Sequence, residues 1–430
     1  MPVVAPRVDV ASRVPVVLVP GITGSVLRDQ ETGEVLWGRG PEVLAPKDGG
    51  YLLARPIVPV GADAPDRLEA VEAIEQLRLF GGLVRKPVYG PVLETLVANG
   101  WVLGDLDAPD EGADLYAFAY DWRQDNVQTV GELLVRLRAL ARAHQRGAGD
   151  APFAIDLICQ SNGAHICRYL TKYGDAEPED ALAGRAESPS ELRIRKMVLV
   201  GTSNGGSVRI LREVHRGRRY VPLIGRTMQP ETLFTFPAIL QDLPAFLPEP
   251  FVDGRGRRLD IDLFDAETWQ AYGLSVFSDE ARDRMASRPD LFGTEADRVD
   301  YLRRNLQRAR RFHDALSRDV ARFDTAYYLL QSGYGSSPER AVLRSVADGY
   351  ELLFTGDEEL EQDPYLHHLV SSPGDGHATY DSQRALSPQE LRALAAPAYL
   401  VDGSHFEMIL DPATLRRMVD FLHMPLPSGR

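Results

Sequence analysis

The chain has 430 residues, 44% of them hydrophobic, and 48 Lys and Arg against 62 Asp and Glu give it a net charge of −14. That length fits one large α/β domain with a long insertion, and the acidic balance excludes a nucleic-acid surface, which needs a basic face. No apolar run approaches a membrane span, and the first thirteen residues carry Arg7, Asp9 and Arg13 with no uninterrupted apolar stretch, so a cytoplasmic protein is expected.

Residues 14–20 (VPVVLVP) are continuous and β-branched, as in a strand buried on both faces of a parallel sheet. They run into Gly21-Ile22-Thr23-Gly24-Ser25, where two glycines let backbone amides turn toward a ligand. Residues 89–101 place apolar side chains at i, i+3 and i+4 and stop at Gly100, which predicts a helix. Residues 114–120 (DLYAFAY) predict the next strand, ending in Asp121-Trp122-Arg123, and 130–143 a second amphipathic helix. Residues 153–170 (FAIDLICQSNGAHICRYL) then read as a strand, a sharp turn and a helix with Ser161 at the apex. An elbow of this kind holds a hydroxyl clear of a sheet while the next helix aims its N-terminal N–H groups at developing negative charge. Cys159 stands where a small residue is needed, and Gly163 supplies the elbow's second small position. Cys159 and Cys167, on the strand end and the helix, are not expected to pair.

After an acidic linker at 174–191, residues 196–200 predict another strand, entering Gly201-Thr202-Ser203-Asn204-Gly205. Residues 206–323 break the alternation. They are Arg-rich, with a Pro- and aromatic-rich patch at 233–251, a helix-like segment near 265–272, and a helical stripe of Val299, Leu302, Leu306, Ala309, Phe312, Leu316, Val320 and Phe323. They predict an insertion folded over the sheet's catalytic edge. The sheet resumes at 326–331 and closes at 398–401. The fold class is therefore α/β, a mostly parallel sheet of the α/β-hydrolase type with a helical cap, divided into core 1–205, cap 206–323 and core 324–430.

A literal G-x-S-x-G occurs at Gly201 to Gly205, which makes Ser203 a rival nucleophile by text alone. Strand order favours Ser161: one strand separates the glycine loop from the elbow, and Ser203 follows one strand too late. The partners of such a serine come in the order Asp or Glu, then His. His405 lies in the loop after the last predicted strand, whereas His423 falls within the final helix and His367-His368 in a charged loop beside Asp363. For the acid, Gly374-Asp375-Gly376 presents a carboxylate on a tight bend, with Asp381 and Asp357 as alternatives.

These segments resemble the lecithin:cholesterol acyltransferase family, which includes lysosomal-type phospholipases and phospholipid:diacylglycerol acyltransferases. The resemblance is carried by VPGITGS at 19–25, YDWR at 120–123, QSNG at 160–163, NGGS at 204–207, and GDG at 374–376 with His405 thirty residues on, all in the family's order. It implies Ser161, Asp375 and His405 as the triad, with the backbone N–H groups of Ile22 and Asn162 as the oxyanion hole. It also implies a lid around Trp37, expected against substrate, and a cap at 206–323. The apolar, Pro-broken composition of 233–251 separately predicts Phe234, Phe236 and Phe246 as side chains against a lipid substrate, with packing inside the cap as the alternative. The departures are QSNGA in place of HSMGG, His377-Ala378-Thr379 after GDG in place of TVP, and the absence of the lid cysteines of the secreted members. The function implied is a lipid acyltransferase or phospholipase moving an acyl group to water or an alcohol, with no metal or cofactor, a lipid or other ester as partner, no nucleic acid, and transient contact with a membrane surface. A cytosolic carboxylesterase or lactonase, and a non-catalytic binding protein on the same scaffold, are the competing readings.

Overall fold

The computed structural model describes residues 13–59, 66–144, 151–221, 225–347 and 349–426; residues 1–12, read above for a leader, lie outside the described residues. At its centre is a six-stranded sheet of β1 (Val16–Val19), β2 (Leu115–Ala117), β3 (Phe153–Gln160), β4 (Leu192–Val200), β5 (Ala326–Gln331) and β6 (Tyr399–Leu400). The spatial order is β6-β5-β4-β3-β1-β2, and every neighbouring pair is parallel. Six helices matter here: α1 (Gly90–Ala98), α2 (Asn126–His144), α3 (Gly163–Tyr173), α4 (Val208–Arg216), α5 (Glu295–Ser317) and α6 (Pro412–His423).

Alternate strand residues enter two cores. Val17, Val19, Leu157, Cys159, Leu199 and Leu329 share one with residues of α2 and α3, while Val16, Leu18, Ile158, Val198, Val200 and Leu330 share the other with α1 and α6. Burial on both faces is why the central stretches of these strands read as apolar runs. Each such side chain contributes roughly 1.5–3 kcal/mol through area removed from water.

Departures from the expected bounds have local causes. β4 starts at Leu192, four residues early: Leu192 and Ile194 are buried while the half-buried Arg193 and Arg195 bond Asp324 and Asp156, so polar side chains alternate into its first half. β2 stops at Ala117, since Tyr120 leaves the sheet to bind the glycine loop, its N–H donating to Ser25 Oγ (3.2 Å) and its hydroxyl to the Pro20 carbonyl (2.9 Å). The linker at 174–191 contains a helical turn, Pro178–Leu182. α5 opens with a capping box between Thr294 and Asp297. It ends at Ser317, so Val320 and Phe323 follow in coil. Lys172 Nζ and Arg168 Nη2 both take the Leu316 carbonyl, capturing the helix's last turn.

Residues 206–323 do not stand alone. Phe251–Val252 and Arg258–Leu259 join Ala341–Val346 and Gly349–Leu353 in one four-stranded sheet, which ties the insertion to chain that follows β5. Between β1 and α1 lie a three-stranded antiparallel sheet (Ser25–Asp29, Val35–Trp37, Leu68–Ala73) and a hairpin (Gln76–Leu79, Val84–Pro87). Among the described residues no helix is long and apolar enough to cross a membrane.

Candidate active site

β3 ends at Gln160 and α3 begins at Gly163, leaving two residues for the reversal. Ser161 takes the strain, at φ 52°, a left-handed conformation that costs a non-glycine residue energy. Its N–H donates to the Val200 carbonyl (3.2 Å), which pins the turn to β4. A Cβ on Gly163 would sit 2.3 Å from the Val19 carbonyl oxygen, so helix and sheet approach as closely as backbone allows. A Cβ on Gly21 would lie 2.8 Å from Ser161 Cβ, so the glycine loop crosses directly over the serine. Tyr89, capping α1, holds both sides: its hydroxyl accepts from the Gly21 N–H (2.9 Å) and donates to Gln160 Oε1 (2.7 Å).

His405 and Asp375 arrive on two loops. His405 Nε2 stands 2.9 Å from Ser161 Oγ, and its Nδ1 stands 2.8 Å from Asp375 Oδ2. Asp375 follows a hairpin of Gly335–Pro338 and Ser371–Gly374, and its Oδ1 accepts from the N–H groups of His377 (2.9 Å) and Ala378 (2.7 Å). Backbone links the loops as well, the His405 N–H donating to the Asp375 carbonyl (2.9 Å). Burial pushes the Asp375 carboxyl upward, but the charge and hydrogen bond of His405 hold it below its ordinary value. An ionised Asp375 keeps a proton on Nδ1 and turns the Nε2 lone pair toward Ser161. The three side chains are 8% (Ser161), 2% (Asp375) and 4% (His405) exposed.

Among the described residues, the N–H groups of Ile22 and Asn162 find no protein acceptor, although one sits in the loop over Ser161 and the other follows it. The Asn162 side chain is held by a reciprocal amide pair with Asn126 (2.8 and 3.1 Å). The Asn126 N–H donates to Gln241 Oε1 (2.8 Å), and Gln241 Nε2 donates to Asp125 Oδ2 (2.7 Å), which also takes Arg308 of α5 (2.7 Å). A polar chain therefore runs from the residue after Ser161 into the insertion.

The structure separates Ser203 from this arrangement. Its hydroxyl is buried and donates to Asp242 Oδ1 (2.6 Å), and burial pushes the Asp242 carboxyl up to about 6. Asp357 pairs with Arg216 (2.7 Å), and Asp381 lies in the short helix Tyr380–Gln383; neither bonds His405. His423 ends α6, stacked on Trp101. His367 and His368, expected in a loop, lie on the helix Pro364–Val370, started by an Asp363 cap.

The four side chains expected against substrate are placed otherwise. Trp37 is buried, its Nε1–H donating to the Thr23 carbonyl (3.0 Å) and its ring edge-on to Trp122 and Tyr220. Phe234 packs among Trp269, Phe277 and Tyr301 of the insertion, and Phe236 against Trp122 of the core; both are fully buried. Phe246 is half-buried on the wall of a cavity of about 420 Å³ that Gly205, Leu263, Phe264 and Leu316 also line, and none of Ser161, Asp375 and His405 lines it.

Sequence reasoning gave no role to His377, which stacks on His405 with ring centroids 4.3 Å apart. Neither of its ring nitrogens has a partner, and Nε2 lies 3.7 Å from Asp242 Oδ2. Burial, and then the neighbouring His405, hold its pKa well below the ordinary value, so it is neutral. The available signal was its place in the departure from TVP. Tyr89, Asn126 and Gln241 left no pattern in the sequence.

No family profile matches the sequence, and no curated protein does. Among solved structures, Tle4 in its complex with Tli4 superposes with a TM-score of 0.56 at 13% identity, over 96% of this chain and 98% of that one. The mature lipase BlEst2 of Bacillus licheniformis aligns over 96% and 93% at 11% identity, with a TM-score of only 0.33. With its parallel six-stranded sheet and flanking helices, the chain has an α/β-hydrolase fold.

Proposed function

We propose that this protein is a serine acyl-transfer enzyme acting on lipid esters, as a phospholipase or lipid acyltransferase. One observation carries the reading: a strained serine hydroxyl within hydrogen-bond reach of an imidazole whose other nitrogen is held by a buried carboxylate. In the reaction, His405 Nε2 takes the proton of Ser161 as Oγ attacks the ester carbonyl, and Asp375 stabilises the imidazolium. The N–H groups of Ile22 and Asn162 receive the oxyanion, one such donor being worth ~3 kcal/mol. His405 returns the proton to the leaving alkoxide as the C–O bond breaks, leaving an acyl ester on Ser161. Water or an alcohol then gives up a proton to His405 and takes the acyl group.

The lipid class is supported by the resemblance of VPGITGS, YDWR, QSNG and GDG, in that order along the chain, to lipid acyltransferases and phospholipases. Incubation with a phospholipid, with and without a lipid alcohol, tests the proposal: a free fatty acid marks hydrolysis, a new lipid ester marks transfer, and turnover of short soluble esters alone would replace this reading with a carboxylesterase. Failure of Ser161 to react with a fluorophosphonate would leave a binding protein.

A further inference from the structure

From the hairpin of Gln76–Leu79 and Val84–Pro87 we infer that it is a docking element for an anionic phospholipid bilayer, setting the mouth of the proposed active site against the lipid surface. Residues 76–87 read QLRLFGGLVRKP: three cations, no acid, in a chain of net charge −14. The tip shows its apolar side chains to solvent, with Phe80 51%, Leu83 89% and Val84 47% exposed. Leu79, paired with Val84 at the last rung before the turn, is buried, so one face of the hairpin is anchored on the body while Phe80, Leu83 and Val84 face out. Phe80, Gly81 and Gly82 all take positive φ, and nothing lies within 4 Å of where a Cβ on either glycine would stand, so both glycines of the turn face open space.

Charge selects the occupant. Arg78, Arg85 and Lys86 are exposed, and none of them has a salt bridge among the described residues. A protein partner with an apolar socket would fit the tip but would give no reason for three cations without a salt bridge beside it. A bilayer accounts for both, taking apolar side chains into its interface while its anionic headgroups meet the flanking cations. Because the rest of the molecule is acidic, an anionic surface repels other faces and favours this one.

Position connects the hairpin to the site. The hairpin's second strand ends at Pro87, two residues before Tyr89, whose hydroxyl bonds the Gly21 N–H and Gln160 beside Ser161, and Phe406, next to His405, is 46% exposed with its ring edge-on to His405. The inference deepens the proposed lipid-ester function by naming how substrate is presented, yet docking needs no chemistry, so the two fail separately.

The test is flotation of the full chain carrying Ser161→Ala, which removes hydrolysis, with vesicles of phosphatidylcholine alone or mixed with phosphatidylglycerol. The Ser161→Ala protein is expected to float with mixed vesicles and much less with neutral ones. Adding Phe80→Ser and Leu83→Ser should weaken binding to the mixed vesicles at least about tenfold. Adding Arg78→Gln, Arg85→Gln and Lys86→Gln instead should remove the preference for mixed vesicles by about tenfold or more. Both sets lie on exposed positions, and an unchanged thermal midpoint shows that each has folded. Equal flotation of parent and variants, no flotation at all, or a parent dimer that the apolar variant makes monomeric would each overturn the proposal.

Discussion

Two stretches of this chain compete for one role, and they differ in an instructive way. Gly201 to Gly205 satisfies the G-x-S-x-G pattern in full, while Cys159 to Gly163 misses its first glycine. Yet Ser203 is sealed in, its hydroxyl spent on a buried carboxylate at 2.6 Å, while Ser161 stands at φ 52° with an imidazole at 2.9 Å. The pattern describes residue sizes. What makes a serine reactive is the place where its strand ends, which of two apposed backbones supplies the missing Cβ, and which loops reach it. Here closeness is supplied by Gly163 against Val19 and by Gly21 against Ser161, so Cys159 is free to be a small core residue.

Removing each hydroxyl breaks the comparison most directly. Ser161→Ala should lower turnover on the order of 10⁶-fold and abolish fluorophosphonate labelling, whereas Ser203→Ala should retain most of both. Peptide mapping that places the adduct on Ser203 would reverse the assignment. Next in size is Asp375→Asn, which keeps the contacts but misorients the imidazole and should cost about 10⁴-fold in kcat with little change in thermal midpoint. Activity lost in Asp381→Asn and kept in Asp375→Asn would give the acid's role to the other carboxylate.

A third change probes the backbone that makes the elbow. Gly163→Ala puts a Cβ 2.3 Å from the Val19 oxygen, and pushing α3 off β1 should cost about 1–3 kcal/mol, read as a lower thermal midpoint together with slower labelling of Ser161. An unchanged midpoint would mean that the contact relaxes freely. Smaller still, Asn126→Ala frees the Asn162 side chain and should remove about 1 kcal/mol, a roughly fivefold fall in kcat at constant KM. A rise in KM alone would instead place the amide pair in substrate binding.

A further test concerns the losing serine's partner. Burial raises the Asp242 carboxyl from 3.8 to about 6, so the folded chain holds that proton more tightly than the unfolded chain does. The resulting stability is fully present below pH 3.8 and is lost as the pH rises through about 6. Asp242→Asn should flatten that part of the thermal midpoint's pH profile while still accepting the Ser203 hydrogen bond. The same slope in wild type and variant would show that the carboxyl titrates normally.

Much of this was legible in the residues because burial writes itself into composition. β1 (VVLV), the LIC of β3, the MVLV of β4 and the YYLL of β5 are covered on both faces and show apolar runs. Glycines and loop order then point to Ser161, Asp375 and His405 as neighbours, and the structure brings those three together. The small antiparallel sheets between Ser25 and Pro87 escaped notice because their strands are short and their burial patterns mixed. The rings at 233–251 misled in a different sense: apolar content signals burial but does not say against what, and Phe234 and Phe236 are buried against other rings of the insertion and the core. His377 and the Asn162–Asn126–Gln241 chain are invisible for a further reason, since single polar residues acquire partners only through folding.

The separation of Ser161 from its base along the chain has a consequence in time. The serine and the glycine loop are made early, and His405 comes 244 residues after the serine, with the carboxylate clipped to it by a backbone bond. At ~5–20 residues per second of synthesis, the nucleophile exists for about 10–50 s without a base. Under the proposed mechanism a growing chain beside a membrane cannot attack its lipids, and competence arrives in one step, when the last loop docks.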